Sequence, residues 1–296
     1  MVPPHPPLRR RSGPSRRGRN PLASPAEHRE VLRTARGLAN ELDPGGRAAI
    51  LLVGSWVRGD AYEASDIDLW VVGNGQRPRQ VCLDRGGRLV SVKYSTVAAE
   101  RRELRNPSRL DGAVPGWRHA RILRDPRGVA ARLQREARAF RWRSVRRARD
   151  AYIATQLSGW AEEVAKLLRA MGTGERETAS VQRNLLANQM AFLWVLRRER
   201  LVETENGFWE RTAKWAGPAF RSAQRAALGT DGGSWTASCE GALRLYSITA
   251  RASLPVLRGE KRRIVAAACR RAGYPIEGPF GASAPSGPSS RSGVPS

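Results

Sequence analysis

The sequence predicts an α+β fold in which a small domain of strands and helices is followed by an all-helical domain. An apolar run of strand length covers Ala48–Val53, and residues Asp66–Val72 alternate between polar and apolar side chains. From Asp125 onwards, apolar residues recur about every 3.6 positions, which is the period of an amphipathic helix. This change of period predicts one domain over residues 24–124 and a second domain over residues 125–277.

Caps and turn residues predict the elements of the first domain. Ser24-Pro25-Ala26-Glu27 has the residues of a capping box, so a helix should begin here and end before Pro44. Residues Val81–Leu83 and Arg88–Tyr94 read as a hairpin, because Asp84-Arg85-Gly86-Gly87 between them is typical of a turn.

The second domain is predicted from its helical period. Asp125 followed by Pro126 favours a helix start. The apolar repeat then continues to Met171, which is too long for one ordinary helix, so we expect a break near Trp142 or Gly159. Three further helices are predicted, one with Val181, Leu185, Gln189, Leu193 and Leu196 on one side, one over Cys239–Leu257 and one over Glu260–Ala272.

Both ends of the chain are rich in Pro, Gly and Ser. Residues 1–23 contain six Arg and few large apolar side chains, so we expect a disordered basic tail, and residues 278–296 should form a second disordered tail. No run approaches the ~18 apolar residues of a membrane-spanning helix. Three widely separated cysteines fit neither a disulfide framework nor a metal site. We therefore expect a cytoplasmic protein.

The net charge of +25 comes mostly from arginine, since 48 of the 52 basic residues are Arg. Residues 77–149 contain 21 basic and six acidic side chains. Arg-rich surfaces attract phosphates of any kind, from a nucleic acid to a nucleoside triphosphate. The charge therefore does not distinguish a nucleic acid from a nucleoside triphosphate as the partner. A nucleic acid would bind through residues 77–149.

Two aspartates are the first candidate for a chemical role. Alternation places Asp66 and Asp68 on one face of a predicted strand. Two ionised carboxylates repel each other unless a cation lies near both. Mg²⁺ prefers oxygen ligands and is usually held by one or two carboxylates together with substrate phosphates. Phosphoryl and nucleotidyl transfer use such an arrangement.

A Gly-Ser turn is the second candidate. Gly54-Ser55 ends an apolar strand and opens into a predicted helix, where free backbone N–H groups and a hydroxyl favour a phosphate. Arg58, one turn further on, adds a positive charge.

Together these residues resemble the signature of the DNA polymerase β-type nucleotidyltransferase superfamily. Gly54-Ser55 is followed after ten residues by Asp66-Ile67-Asp68. More narrowly, Gly-Ser-x-x-Arg-Gly and then Ser-Asp-Ile-Asp-Leu is similar to small bacterial members, the minimal, aminoglycoside and lincosamide nucleotidyltransferases.

The resemblance implies a small mixed-sheet domain that transfers NMP from an NTP to an acceptor hydroxyl and releases pyrophosphate. Asp66 and Asp68 would hold two Mg²⁺ ions. Gly54 and Ser55 would hold the triphosphate, and the nucleotide-binding set would also include Arg58, Ser65 and Lys93.

One departure from the family concerns a third carboxylate on a later strand. The strand that should supply it places Val90, Val92 and Tyr94 on its apolar face and Ser91 and Lys93 on its polar face. Ser91 stands about where aminoglycoside-type members have the acid. The lysine would either weaken metal binding or contact a phosphate. The metals are then held by two aspartates alone, or the site is degenerate.

Other residues are weaker candidates. Glu162 and Glu163 are possible general bases but are more often a solvated helix face, and a lone histidine such as His119 is usually structural. Trp56 and Trp70 flank the motif and would either stack on a ligand or fill the core.

The leading hypothesis is a nucleotidyltransferase whose helical domain forms the cleft for a small hydroxylated acceptor. An aminoglycoside-like compound is the first guess, although a basic chain disfavours a polycation. One alternative is a catalytically weak regulator that binds a nucleotide or nucleic acid. Another is an antitoxin-type enzyme that modifies protein or RNA. A homodimer is an open alternative to a monomer.

Overall fold

The computed structural model describes residues 22–277 apart from Asn74 and Gln76. The predicted tails lie outside the described residues except for Leu22 and Ala23. Leu22 forms an isolated antiparallel bridge with Tyr62, and the Ala23 N–H donates to the Ala61 carbonyl at 2.8 Å. These two residues of the predicted tail are therefore tied to the folded chain.

The described chain forms two compact units. The first contains residues 22–96 and 119–131, and the second contains residues 97–118 and 132–277. No helix among the described residues combines the length and the apolar character needed to cross a membrane.

The first unit is built on a five-stranded mixed sheet with the strand order β3-β4-β2-β1-β5. The β2–β4 pair is parallel and the other neighbouring pairs are antiparallel. Its elements are α1 (Pro25–Leu42), β1 (Ala49–Val53), α2 (Ser55–Arg58), β2 (Ile67–Val72), β3 (Arg79–Arg85), β4 (Arg88–Ser95) and β5 (Arg121–Arg124). The predicted α+β class with a mixed sheet is confirmed.

One face of this sheet is covered by α1. The capping box predicted at Ser24 is present, because Ser24 Oγ accepts from Glu27 N–H and the Glu27 side chain accepts from Ser24 N–H. The buried residues of the helix, among them Val31 and Leu38, join one core with apolar residues of β1, β2 and β4. Each fully buried side chain of this size stabilises the fold by about 1.5–3 kcal/mol. The polar residues of β2 and β4 are left on the opposite face.

The β3–β4 hairpin is tighter than the sequence predicted. Asp84 and Arg85 were expected in the turn, but they pair with Leu89 and Arg88 as the last residues of the ladder. The turn is Gly86-Gly87, and both glycines have positive φ (64° and 78°). Two central residues with positive φ make a two-residue turn that matches the twist of the strands, so pairing continues up to the turn.

The helix expected to start at Asp125-Pro126 begins later, at Val129. Residues Asp125–Gly128 form a turn in which Gly128 N–H donates to the Asp125 carbonyl at 3.2 Å. The Asp125 side chain still accepts a backbone bond, from Ala131 N–H at 2.9 Å. The aspartate therefore holds the first turn of the helix across an intervening turn.

The second unit is helical. Its elements are α3 (Val97–Glu103), α4 (Leu110–His119), most of α5 (Val129–Arg138), α6 (Arg146–Thr173), α7 (Arg176–Arg197), α8 (Phe208–Ala216), α9 (Pro218–Ala227), α10 (Trp235–Ala252) and α11 (Gly259–Arg271). The long apolar run breaks at the 3₁₀ turn Trp142–Ser144, one of the two expected places. Helix α6 passes through Gly159 unbroken. No sequence pattern predicted α3, α4, α8 or α9.

The buried face of α7 differs from the predicted one. Val181 and Leu185 are 55% and 40% exposed, whereas Leu193 and Leu196 are buried as expected. Seven buried residues of the helix lie outside the predicted stripe: Ala179, Leu186, Ala187, Met190, Ala191, Trp194 and Val195. Alanines contribute little to a hydrophobic period, yet they allow neighbouring helices to approach closely, which is why the stripe was misplaced.

Candidate functional site

The turn after β1 lies directly against Asp68. Val53, the last residue of β1, is paired with Asp68 on β2. Gly54 then adopts φ 80° and ψ −157°. A Cβ built on Gly54 would overlap Asp68 Oδ2 and lie 3.2 Å from its Cγ. Glycine is therefore required at this position by both the backbone angle and the neighbouring carboxylate.

Ser55 begins α2, a single helical turn. Its carbonyl accepts from Gly59 N–H at 3.0 Å and from Asp60 N–H at 3.2 Å, which closes the turn. The first N–H groups of a helix have no partner inside the helix. Those of the Gly54-Ser55 turn can therefore bind water or an anion beside Asp68.

Asp66 and Asp68 are brought together at the start of β2. Burial, and after it the negative charge of Asp66, raise the pKa of Asp68 from 3.8 to about 6. The positive charge of Arg58 acts in the opposite direction. The effect of Asp66 on this pKa indicates that the two carboxylates are close enough to interact, and a pair of ionised carboxylates favours a cation near both.

Arg58 is held near this pair by its own neighbour. The Arg58 Nε lies 3.2 Å from Asp60 Oδ1, and the arginine side chain is only 17% exposed. A guanidinium fixed by one carboxylate and close to another can also donate to a phosphate oxygen. Sequence reasoning missed Asp60, because an acid two residues from an arginine carries no signal by itself.

Ser65 belongs to the loop that leads into Asp66. Its Oγ accepts from Tyr62 N–H at 2.9 Å, and its N–H donates to the Tyr62 carbonyl at 2.9 Å. The Ser65 carbonyl accepts from Trp56 Nε1 at 3.3 Å and from Arg88 Nη1 at 3.0 Å. These bonds fix the loop before the first aspartate. Arg88 has no sequence signal, since it is one of 48 arginines.

Ser91 occupies the position beside Asp68 on the neighbouring strand. In the parallel β2–β4 pair, Asp68 is aligned with Ser91. Ser91 Oγ accepts from Gln80 Nε2 of β3 at 3.0 Å. Among the described residues, no group of three or more His, Cys, Asp or Glu side chains is placed to hold a metal ion. The carboxylates that the described residues bring together at this turn are those of Asp66 and Asp68.

Lys93 lies further along the same face of β4. It is aligned with Trp70, and its Nζ lies 4.8 Å from the centre of the indole ring. Both roles that the sequence left open for Lys93, weakening of metal binding and contact with a phosphate, stay predictions.

Most of the remaining candidate side chains pack against or pair with neighbouring side chains. Trp56 is 4% exposed and packs edge to face on His28 at 5.1 Å, so it fills the core and is not exposed for stacking on a ligand. Glu162 and Glu163 both pair with Lys166 on α6, at 2.9 and 3.1 Å. Glu162 is 70% exposed and lies on a solvated helix face, whereas the Glu163 side chain is only 19% exposed. His119 is exposed at the end of α4.

A glycine-serine turn against paired carboxylates on a mixed sheet defines a class of domain that handles nucleoside phosphates. The comparison with known families agrees, because residues 32–113 match the nucleotidyltransferase domain family. The predicted resemblance to the nucleotidyltransferase superfamily is confirmed over this part of the chain.

A solved structure shows the same fold over most of the chain. It is the 1.90 Å crystal structure of a nucleotidyltransferase-like protein from Exiguobacterium sibiricum 255-15, with a TM-score of 0.50 and 14% sequence identity. The match covers 76% of this chain and 78% of that chain. At this identity the likeness concerns the fold alone. No curated protein sequence matches the chain.

Proposed function

We propose that the protein is a nucleotidyltransferase that moves an NMP from an NTP to an acceptor hydroxyl. The observation that carries this proposal is the close approach of the Gly54 backbone to the Asp68 carboxylate. A phosphate bound by the turn would lie beside the carboxylates, and such closeness is what metal-assisted nucleotidyl transfer requires.

The two aspartates fit a divalent cation such as Mg²⁺. They offer oxygen ligands, and burial together with the charge of Asp66 makes ionisation of Asp68 costly without a cation. Mg²⁺ usually combines one or two carboxylates with substrate phosphates, so two aspartates suffice when the nucleotide supplies further oxygens. Bound Mg²⁺ would neutralise charge that develops on the transferring phosphoryl group. We propose that Asp66 and Asp68 are its ligands, whether one or two ions bind.

The other residues would bind and orient the nucleotide. The N–H groups of the Gly54-Ser55 turn and the Ser55 hydroxyl would donate to the triphosphate. Arg58, held by Asp60, would add a charge-assisted bond, and the Lys93 ammonium adds positive charge on the same face. Ser65 would act by fixing the loop before Asp66, through its bonds to Tyr62 and Arg88.

The acceptor is proposed to be a small hydroxylated molecule. An aminoglycoside-like compound remains the first candidate. The net charge of +25 counts against it, because a basic protein repels a polycation.

The test is transfer of label from α-³²P-labelled NTPs, with Mg²⁺ and a metabolite extract. We expect a labelled product with the wild-type protein and none with Asp66→Asn or Asp68→Asn. Glu30→Gln, an exposed acid on α1, is the matched control and should retain full transfer. Equal labelling by the wild-type protein and both aspartate variants would refute the proposal.

A second candidate function is favoured by Ser91, which stands where a third carboxylate is expected. A site with two acids would bind a nucleotide and transfer it poorly, as in a regulator that binds a nucleotide or nucleic acid. This candidate predicts Mg²⁺-dependent stabilisation by NTP without transfer. It also predicts salt-dependent RNA binding that survives replacement of both aspartates. Labelled protein or RNA in the transfer assay would instead indicate an antitoxin-type enzyme.

A further inference from the structure

The helical unit contains a cavity that the proposed nucleotide chemistry does not use. Its volume is about 240 Å³. At ~30 Å³ per water molecule, this corresponds to about eight waters, the size of a small organic molecule. Its lining includes Asp111, Trp142, Tyr152, Phe192, Leu193 and Leu196, all within the second unit.

The wall of the cavity is mainly aromatic and aliphatic. Phe192 is held in place by stacking on Phe208, with ring centres 4.5 Å apart. Trp142 is fixed by an edge-to-face contact with Phe140 at 5.4 Å. Rings that are already held by their neighbours form a preorganised surface, so ligand binding would cost little conformational entropy.

Asp111 is the acidic group of this wall. One of its carboxylate oxygens, Oδ1, accepts from Gly112 N–H at 3.0 Å. Within the described part of the chain, Asp111 has no basic side chain within the 4.0 Å of an ion pair. Burial raises the pKa of this carboxyl, which is the cost of an ionised group without an adequate partner. The positive charge of a ligand would stabilise a partly buried carboxylate that lacks an ion-pair partner.

The other polar groups near the cavity do not supply that cation. Arg200 lines the cavity, but its guanidinium lies over the Trp215 ring, 5.7 Å from the ring centre. The charge of Arg109 lowers the pKa of Asp111, and the weaker effect of Glu205 raises it. Burial, and after it the charge of Asp111, raise the pKa of Tyr152, so its phenol stays neutral and can donate a hydrogen bond.

We propose that this cavity binds a small organic cation, an amine with an aromatic or branched apolar body. The ammonium group pairs with Asp111, and the apolar body lies against Trp142, Tyr152 and Phe192. Aromatic faces attract cations as well as apolar groups, which makes the two parts of the site mutually supportive. This proposal is independent of the nucleotidyltransferase function, because it uses no residue of the first unit.

The test compares three probes of similar size on the full chain, by ligand-observed NMR titration. They are 2-phenylethylamine, neutral 2-phenylethanol and anionic 3-phenylpropanoate. Charge-assisted bonds are roughly twice as strong as neutral ones, so we expect the amine to bind about tenfold more tightly than the alcohol. The carboxylate should bind weakest of the three. Equal affinity of amine and alcohol, tighter binding of the carboxylate, or no amine binding at 10 mM (about ten times a 1 mM Kd) would overturn the proposal.

A variant pair locates the site. Asp111→Asn should remove the about tenfold preference for the amine and leave binding of the alcohol unchanged. Asp111 also lies in the first turn of α4, where an acid stabilises a helix. Glu177→Gln is therefore the matched control, because Glu177 is an exposed acid in the first turn of α7. It should leave the preference intact. A preference that survives Asp111→Asn would refute the role of this residue. Should that variant not fold, Tyr152→Leu replaces it, because this change removes one aromatic face of the site, and unaltered amine affinity there would count against the site.

Discussion

The backbone of Gly54 lies so close to Asp68 that any side chain at position 54 would overlap the Asp68 carboxylate. Gly54→Ala should therefore displace Asp68 and also strain the backbone at φ 80°. Such backbone strain costs about 1–3 kcal/mol, so the melting temperature should fall and nucleotidyl transfer should be lost. Thermal unfolding and the labelled-NTP assay measure the two effects.

Gly59→Ala is the control that separates backbone strain from overlap with the Asp68 carboxylate. Gly59 also has positive φ (84°), but a Cβ there would meet no atom within 4 Å. This control should lower the free energy of unfolding by a similar amount, about 1–3 kcal/mol, and keep transfer activity. Retained transfer in Gly54→Ala would show that the contact with Asp68 does not matter for the reaction.

The raised pKa of Asp68 predicts how stability depends on pH in the metal-free protein. Its pKa is about 6 in the folded state against 3.8 for an unperturbed carboxyl, so the folded protein binds more protons between these values. The stability due to protonated Asp68 is fully present below pH ~4 and is lost as the pH rises through about 6. Asp68→Asn should not show this loss.

The magnitude has an upper limit of ~3 kcal/mol at neutral pH, from ~1.4 kcal/mol per pKa unit. Solvent reaches part of the side chain, so we expect Asp68→Asn to be about 1–2 kcal/mol more stable than wild type at pH 7.5 and equal to it near pH 4. Urea unfolding in EDTA across this range is the measurement, with Glu30→Gln as the control. Parallel curves for wild type and Asp68→Asn would contradict the assignment.

Ser91 is aligned with Asp68 on the next strand, so Ser91→Asp should add a third carboxylate to the site. We expect about tenfold tighter binding of Mn²⁺, ~1.4 kcal/mol, and lower stability without metal because a third negative charge joins the pair. Calorimetric titration with Mn²⁺ and a melting curve test both effects. Ser91→Asn, of similar size but uncharged, should change neither, and equal Mn²⁺ affinity in the two variants would show that this position lies outside the metal site.

Local patterns explain which parts of the fold were predictable. The capping box at Ser24 involves residues three positions apart, and the alternation from Asp66 to Val72 follows from one buried face of a strand. Both are properties of neighbouring residues, so the sequence alone specifies them. The same alternation placed Ser91 on the polar face of its strand.

Segments whose burial depends on distant partners were not predictable in this way. Helix α3 buries an acid, Glu100, whose carboxylate accepts from Trp117 Nε1 at 2.9 Å. A buried glutamate looks like a surface residue in a sequence pattern, so the helix was missed. The bond from Arg88 to the Ser65 carbonyl spans 23 residues, and no local signal marks it. The chemistry-bearing acids were readable from the sequence, whereas the residues that position them were not.

Arg88 is predicted to be a positioning residue for the first aspartate. Its Nη1 donates to the Glu63 carbonyl at 2.7 Å and to the Ser65 carbonyl at 3.0 Å, in the loop that leads into Asp66. Arg88→Met keeps much of the apolar stem and removes both bonds. We expect about 1–2 kcal/mol of lost stability, at ~1 kcal/mol per bond, and a lower kcat with little change in the KM for NTP.

Arg85→Met is the control for Arg88. Arg85 lies on the same hairpin and pairs with Glu41 at 2.8 Å, but its side chain is 45% exposed. Exposed pairs contribute little, so this variant should keep both stability and kcat. Arg88→Lys can donate to one of the two carbonyls and should recover part of the rate. If Arg88→Met lost stability but kept kcat, the arginine would only hold the loop, and Asp66 would reach its place without it.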